Sequence, residues 1–133
     1  MFEIKKKYET SSNLEQNGVL VTLPSGAKVK LARWGNSNFQ NELEKLFVDY
    51  PDVDNMTIEE NRQLMDKYVI SKTILLGWSD FAEDGNLIAY SHEKACEYLK
   101  MRDFRDEVIE ESKSRDRYLS INEKKAESDL KKP

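Results

Sequence analysis

The chain's one histidine and one cysteine, His92 and Cys96, stand four residues apart. On a helix that spacing puts both side chains on one face. The pair therefore has the parts of a Cys–His nucleophile or of half a metal site. Each reading needs more than the pair. A structural zinc site takes four ligands, and the sequence holds no second Cys or His. A nucleophile needs an oriented base in a pocket. The reading favoured by chemistry is a helix-surface His beside a small packed Cys.

The other chemical candidates weaken in the same way. Asp80, Asp84 and Gly85 match positions one, five and six of a calcium loop, but Ala82 occupies the third position and Ser91 the twelfth, where a Glu is required. An acidic turn fits better. Paired carboxylates at Glu42/Glu44, Glu59-Glu60 and Glu110-Glu111 fall on expected wet faces, and 25 acidic residues make chance pairs unavoidable. There is no Gly-rich phosphate loop and no Ser–His–Asp arrangement. The expectation is a protein that is not an enzyme, with no cofactor and no metal. Of the two tryptophans, Trp78 reads as a core residue. Trp34, between Arg33 and Gly35, reads as core or as an exposed anchor of the kind found at interface hot spots.

Positioning these residues requires a scaffold, and Met56–Tyr90 reads as its centre. Thr57 with Glu60 three residues on is a capping box. The apolar residues Tyr68, Val69, Ile70, Ile74, Leu75, Leu76 and Trp78 then run nearly all round, as expected for a helix whose end enters the core. A helix from Thr57 to Trp78 would be about 33 Å long, with Asp84-Gly85 as the turn beyond it. Upstream, Val19, Val21 and Leu23 alternate with Leu20 and Thr22, Pro24-Ser25-Gly26 supplies a turn, and Ala27, Val29 and Leu31 alternate with Lys28 and Lys30. That is a hairpin with one wet face. Ser37 with Gln40 reads as a second capping box, opening a helix whose stripe is Phe39, Leu43, Leu46, Phe47 and Tyr50, stopped by Pro51. Ser91 caps the helix carrying His92 and Cys96, with Ala95 and Leu99 inward. Asp103 reads as the cap of a last helix with Phe104, Val108 and Ile109 inward.

The expected fold class is α+β, mainly α: an N-terminal β-hairpin followed by a bundle of about four helices around a central helix. Residues 1–17 read as a flexible or partly extended arm, in which Phe2 and Ile4 could start a strand. Residues 18–121 read as a single globular domain and 122–133 as a charged disordered tail. At 133 residues the chain is long enough for one real core. Its 35% charged content covers that core with a strongly hydrated surface, and the net charge of −4 argues against nucleic-acid binding through the surface as a whole. A small DNA-binding domain would need a basic recognition helix, and residues 92–102 offer Lys94, Lys100 and Arg102 against Glu93 and Glu97. One cysteine allows no internal disulfide and suits a reducing compartment. No apolar signal core and no run near the ~20 residues of a membrane span is present, so the expectation is a cytoplasmic protein without membrane contact.

The order of parts carries a resemblance. A hairpin leads into Ala32-Arg33-Trp34-Gly35-Asn36 with Asn38-Phe39 behind it. A central helix ends Leu76-Gly77-Trp78, followed by Asp84-Gly85, a helix opening at Tyr90-Ser91, and a closing helix with Phe104-Arg105-Asp106-Glu107-Val108-Ile109. Over about residues 18–120 this resembles the tail assembly chaperones of long-tailed bacteriophages and prophages, in which an Ala-Arg-x-Gly-Asn-x-x-Phe segment precedes a helix. Trp34 stands where that family varies, so no role passes to it. The resemblance implies a small, mainly helical domain that binds the tape measure protein and keeps it soluble during tail tube assembly. The tail tube protein is a further partner and weak self-association an accompaniment. It implies a place in the host cytoplasm and absence from the mature virion. The alternative is a structural tail or connector protein retained in the virion. The residues expected to face a partner are Trp34, Phe39, Leu43, Phe47 and Tyr50.

Overall fold

A computed structural model describes residues 1–131; Lys132 and Pro133, the last of the expected charged tail, lie outside the described residues. The chain is mixed α+β and mainly helical, with an N-terminal hairpin followed by several helices. Strands β1 (Val19–Thr22) and β2 (Lys28–Leu31) pair antiparallel in the register Val19↔Leu31 and Val21↔Val29. Val19, Val21, Leu23, Val29 and Leu31 are buried, whereas Leu20, Thr22 and Lys28 face out, as the alternation requires. The turn is closed by Leu23 N–H donating to Ala27 O (2.8 Å) and Gly26 N–H to Leu23 O (2.8 Å).

The sheet has a third strand where a helix was expected. Strand β3 (Leu75–Ser79) pairs antiparallel with β2, Val29 opposite Trp78 and Lys30 opposite Gly77, in the order β1-β2-β3. The helical rod therefore stops at Thr73. It consists of α4 (Ile58–Met65), a π-helical stretch (Asp66–Ile70) and α5 (Ser71–Thr73). Its start is as expected: Thr57 Oγ1 accepts from Glu60 N–H (3.1 Å), and Thr57 N–H donates to Glu60 Oε1 (3.4 Å). The correction at the other end has a physical cause. A short run that is apolar on every side is equally a helix end and a buried strand. Here an inner strand β2 needs a partner for its second edge, and Gly77 favours leaving the helix.

The segment Ala32–Phe39 is a structural joint. Ala32 N–H donates to Ile74 O (2.9 Å), and Arg33 pairs with Glu15 (3.0 Å). Gly35 turns the chain at φ +82°. Asn36 then caps α3 (Ser37–Asp49), its Oδ1 accepting from Phe39 N–H (3.0 Å) and its Nδ2 donating to Arg33 O (2.8 Å) and Thr73 O (3.2 Å). The cap is thus Asn36 and not Ser37. Gln40 reaches back to Gly35 O (3.0 Å) and forms no box.

After β3 a minute hairpin, β4 (Ala82–Glu83) and β5 (Asn86–Leu87), turns at Asp84-Gly85. Ser91 caps α6 (His92–Leu99), its Oγ accepting from Lys94 N–H (3.1 Å). Helix α7 (Arg102–Ser112) starts one residue before Asp103, with Met101 in the cap position and no side-chain bond, so Asp103 caps nothing. Trp78 lies under this region, stacked on Phe81 (4.6 Å, 4°) and edge-on to Tyr90 (4.8 Å), and its Nε1 donates to Ile88 O (2.8 Å).

The first residues are helical: α1 (Ile4–Tyr8), then α2 (Ser12–Asn17), capped by Ser11 Oγ accepting from Leu14 N–H (3.2 Å). Leu14 is in the core. Gly18 follows at φ +88°, where a Cβ would sit 3.1 Å from the Leu31 backbone, so only glycine fits. The far end of the chain closes over this segment. Ser11 N–H donates to Tyr118 O and Ser120 N–H to Glu9 O, both at 2.8 Å, and the buried Tyr118 hydroxyl donates to Leu31 O (3.1 Å). Residues 123–131, expected as part of a disordered tail, form α8 (Glu123–Lys131) against β1 and α2.

Candidate functional site

The structure brings His92 and Cys96 together and adds a third group, Ser71. His92 and Cys96 border a cleft of about 570 Å3 whose walls include Asp66, Lys67, Lys94 and Glu97, and Ser71 lies buried behind them. His92 Nε2 lies 2.8 Å from Ser71 Oγ and 2.9 Å from Lys67 O; Cys96 Sγ is 3.5 Å from Ser71 Oγ and 3.8 Å from His92 Nε2. The cause is the π-helical turn. Its wider register hands Ser71 N–H to Asp66 O, leaving the Lys67 carbonyl that an α-helix would have paired with it. Ser71 Oγ donates to that carbonyl (2.9 Å). With the hydroxyl proton so placed, the network assigns a proton to Nε2, shared between Lys67 O and Ser71 Oγ. The imidazole is then a donor toward Ser71, the reverse of what a base must be toward its nucleophile. What the trio does chemically is satisfy a carbonyl released by the π turn and tie α6 to it.

Asp66, on the same cleft, is buried with Arg105 of α7, Nε to Oδ1 at 2.8 Å. Burial pushes its carboxyl above the usual carboxylate range, against the lowering effect of the Arg105 bond. This pair was not legible in the sequence, because its members are 39 residues apart. The one available signal was an acid at the point where the α4 pattern turns apolar.

The five residues expected to face a partner are dispersed by depth. Phe39 is 7% exposed and belongs to the core. Trp34 is partly buried, its ring 4.7 Å from Phe39 and 5.6 Å from Lys113 Nζ. Leu43 and Tyr50 are partly buried against the core, and Phe47 is 52% exposed. Phe39, Leu43 and Phe47 follow one another at i, i+4 and i+8, so a single ridge of α3 climbs from core to solvent. Beyond it, Tyr50 (hydroxyl donating to Tyr68 Oη, 3.2 Å), Met56, Leu64 and Tyr68 floor a groove of about 310 Å3, with Glu60 at its wall. From Glu42 to Glu60 the chain carries Glu42, Glu44, Asp49, Asp52, Asp54, Glu59 and Glu60 against Lys45 alone.

Fold and surface together define a small α+β domain with an apolar ridge on α3 and a groove between the end of α3 and α4, beside an acid-rich stretch of the chain. Residues 34–132 match the family model of the YdaY prophage protein, and the chain belongs to that family. It is thus a protein of a phage or prophage family. No curated protein and no solved structure matches it.

Proposed function

We propose that this prophage-family protein is a tail assembly chaperone that binds the tape measure protein and keeps it soluble while the tail tube assembles. It acts in the host cytoplasm, without catalysis and without a cofactor. Membership of a prophage family supports the setting, and the resemblance over residues 18–120 supports the role. The observation that carries the reading is the α3 ridge: Phe47 is half exposed on a helix otherwise rich in charge, with Leu43 and Trp34 partly buried along the same flank. An exposed aromatic backed by partly buried apolar residues suits a surface that exchanges water for a partner's apolar face. Tyr50, one turn beyond Phe47, extends that flank toward the groove. Phe39 supports the ridge from within the core.

A chaperone leaves when the tube closes, whereas a connector stays. Mass spectrometry of purified virions separates the two. The proposed role expects tube and tape measure peptides with none from this chain. Its recovery at a stoichiometry comparable to tail proteins would favour the structural reading.

A further inference from the structure

The first eight residues hold the densest group of exposed apolar side chains in the described chain. Phe2 is 67% exposed and Ile4 63%, with Met1 and Tyr8 also exposed. No residue of α1 is buried. The same segment carries Lys5, Lys6 and Lys7 against Glu3, and among the described residues none of these lysines makes an ion pair. A short apolar and basic segment therefore lies on the surface beside the Thr10↔Leu119 bridge, with the Tyr8 ring against the Arg115 guanidinium (4.5 Å) and the Phe2 ring 6.2 Å from that of Tyr8.

The groove at the ends of α3 and α4 has the complementary character. Its floor is Tyr50, Met56, Leu64 and Tyr68. The chain between its lining residues Tyr50 and Met56 carries Asp52 and Asp54, and Asp49 precedes Tyr50 on the wall of a neighbouring cleft; all three are exposed and make no ion pair among the described residues. Lys67 at the inner end has its ammonium 5.2 Å from the Tyr68 ring centroid. Opposite charge around matched apolar surface steers association and fixes register.

We propose that the groove receives residues 1–8 of a second copy of this chain, with Phe2 and Ile4 against its aromatic floor and Lys5–Lys7 against Asp49, Asp52 and Asp54. The contact uses different surfaces on the two copies. It is head-to-tail, and it propagates along a line unless its rotation closes a ring. It does not depend on the chaperone reading, because its test contains no other protein.

The test is sedimentation velocity over a concentration series at about 50 mM and about 500 mM salt, which span strong and weak screening. Wild-type protein should associate with rising concentration at low salt and revert to monomer at high salt. Two charge-reversed variants follow: Lys5→Glu/Lys6→Glu/Lys7→Glu, and Asp49→Lys/Asp52→Lys/Asp54→Lys. Each alone should lose association by about 100-fold, because like charges then face each other. Mixed, they should associate again, since the acidic segment of one meets the basic groove of the other. Both change exposed side chains only, and circular dichroism checks that each is folded. Phe2→Ser/Ile4→Ser tests the apolar part without altering charge and should also weaken association. A wild-type monomer at every concentration, association unchanged in both reversed variants, or no recovery on mixing would overturn the proposal. So would sedimentation of monomers with anionic vesicles in place of self-association.

Discussion

Single residues carry two kinds of polar arrangement in this fold. The His92–Ser71–Cys96 trio runs from the surface at His92 to the buried Ser71 and repairs the backbone of a π turn. The Asp66–Arg105 pair is enclosed, with side chains 6% and 16% exposed, and its cost depends on both members being present. Replacing Arg105 by Met leaves a buried carboxyl with protonation as its main relief. Chemical denaturation at neutral pH should show a loss of about 3–5 kcal/mol. The pH dependence follows from the raised Asp66 pKa. Between the ordinary carboxylate value and the raised one, the folded chain holds a proton that the unfolded chain has released, so stability falls as pH rises through that window. Removing Arg105 lifts a lowering influence, which extends the window upward. Arg105→Met should therefore regain stability on acidification toward the carboxylate range, more steeply than wild type does. A variant whose deficit is the same at all pH values would contradict this account of the pair.

At the scale of elements, the joint around Asn36 holds sheet and helices together. One side chain caps α3 and donates to both Arg33 O and Thr73 O. Asn36→Ala removes the cap and leaves buried carbonyls short of a donor. The expected loss is about 2 kcal/mol, whereas Asn36→Asp should retain the cap and lose the donors. Thermal melts of the two variants check this. The joint also shows what the sequence could and could not disclose. Local rules placed the hairpin, the Thr57–Glu60 box, the α3 stripe and the Ser91 cap, because alternation and capping act within a few residues. They misplaced Leu75–Ser79, whose strand identity comes from β2, more than forty positions earlier in the chain. They did not show the short helices Ile4–Tyr8 and Ser12–Asn17 or the helix Glu123–Lys131, where the two ends meet through Tyr118 and Leu119. For the candidate site the same division holds. Spacing found His92 with Cys96 and the Phe39–Tyr50 stripe. It did not find Ser71, Asp66 with Arg105, or which members of the stripe lie inside, because depth is set by elements remote in sequence.

For the whole molecule, charge and apolar surface are unevenly distributed. The net charge of −4 favours solubility. Seven acids fall between Glu42 and Glu60, from the middle of α3 to the start of α4, and the three consecutive lysines lie on the exposed first segment. That distribution suits a protein whose contacts are made by its first segment, by the groove and by one helix flank. On the proposed function, the α3 flank shields a tape measure protein. It is tested by co-expression with a tape measure protein of the same phage or prophage, measuring the soluble fraction of that protein beside wild type and beside Phe47→Asp. The soluble fraction should be several-fold higher with wild type than without it, and most of that gain should be lost with a Phe47→Asp variant that folds normally. A tape measure protein as insoluble with the wild-type chain as without it would overturn the proposed function.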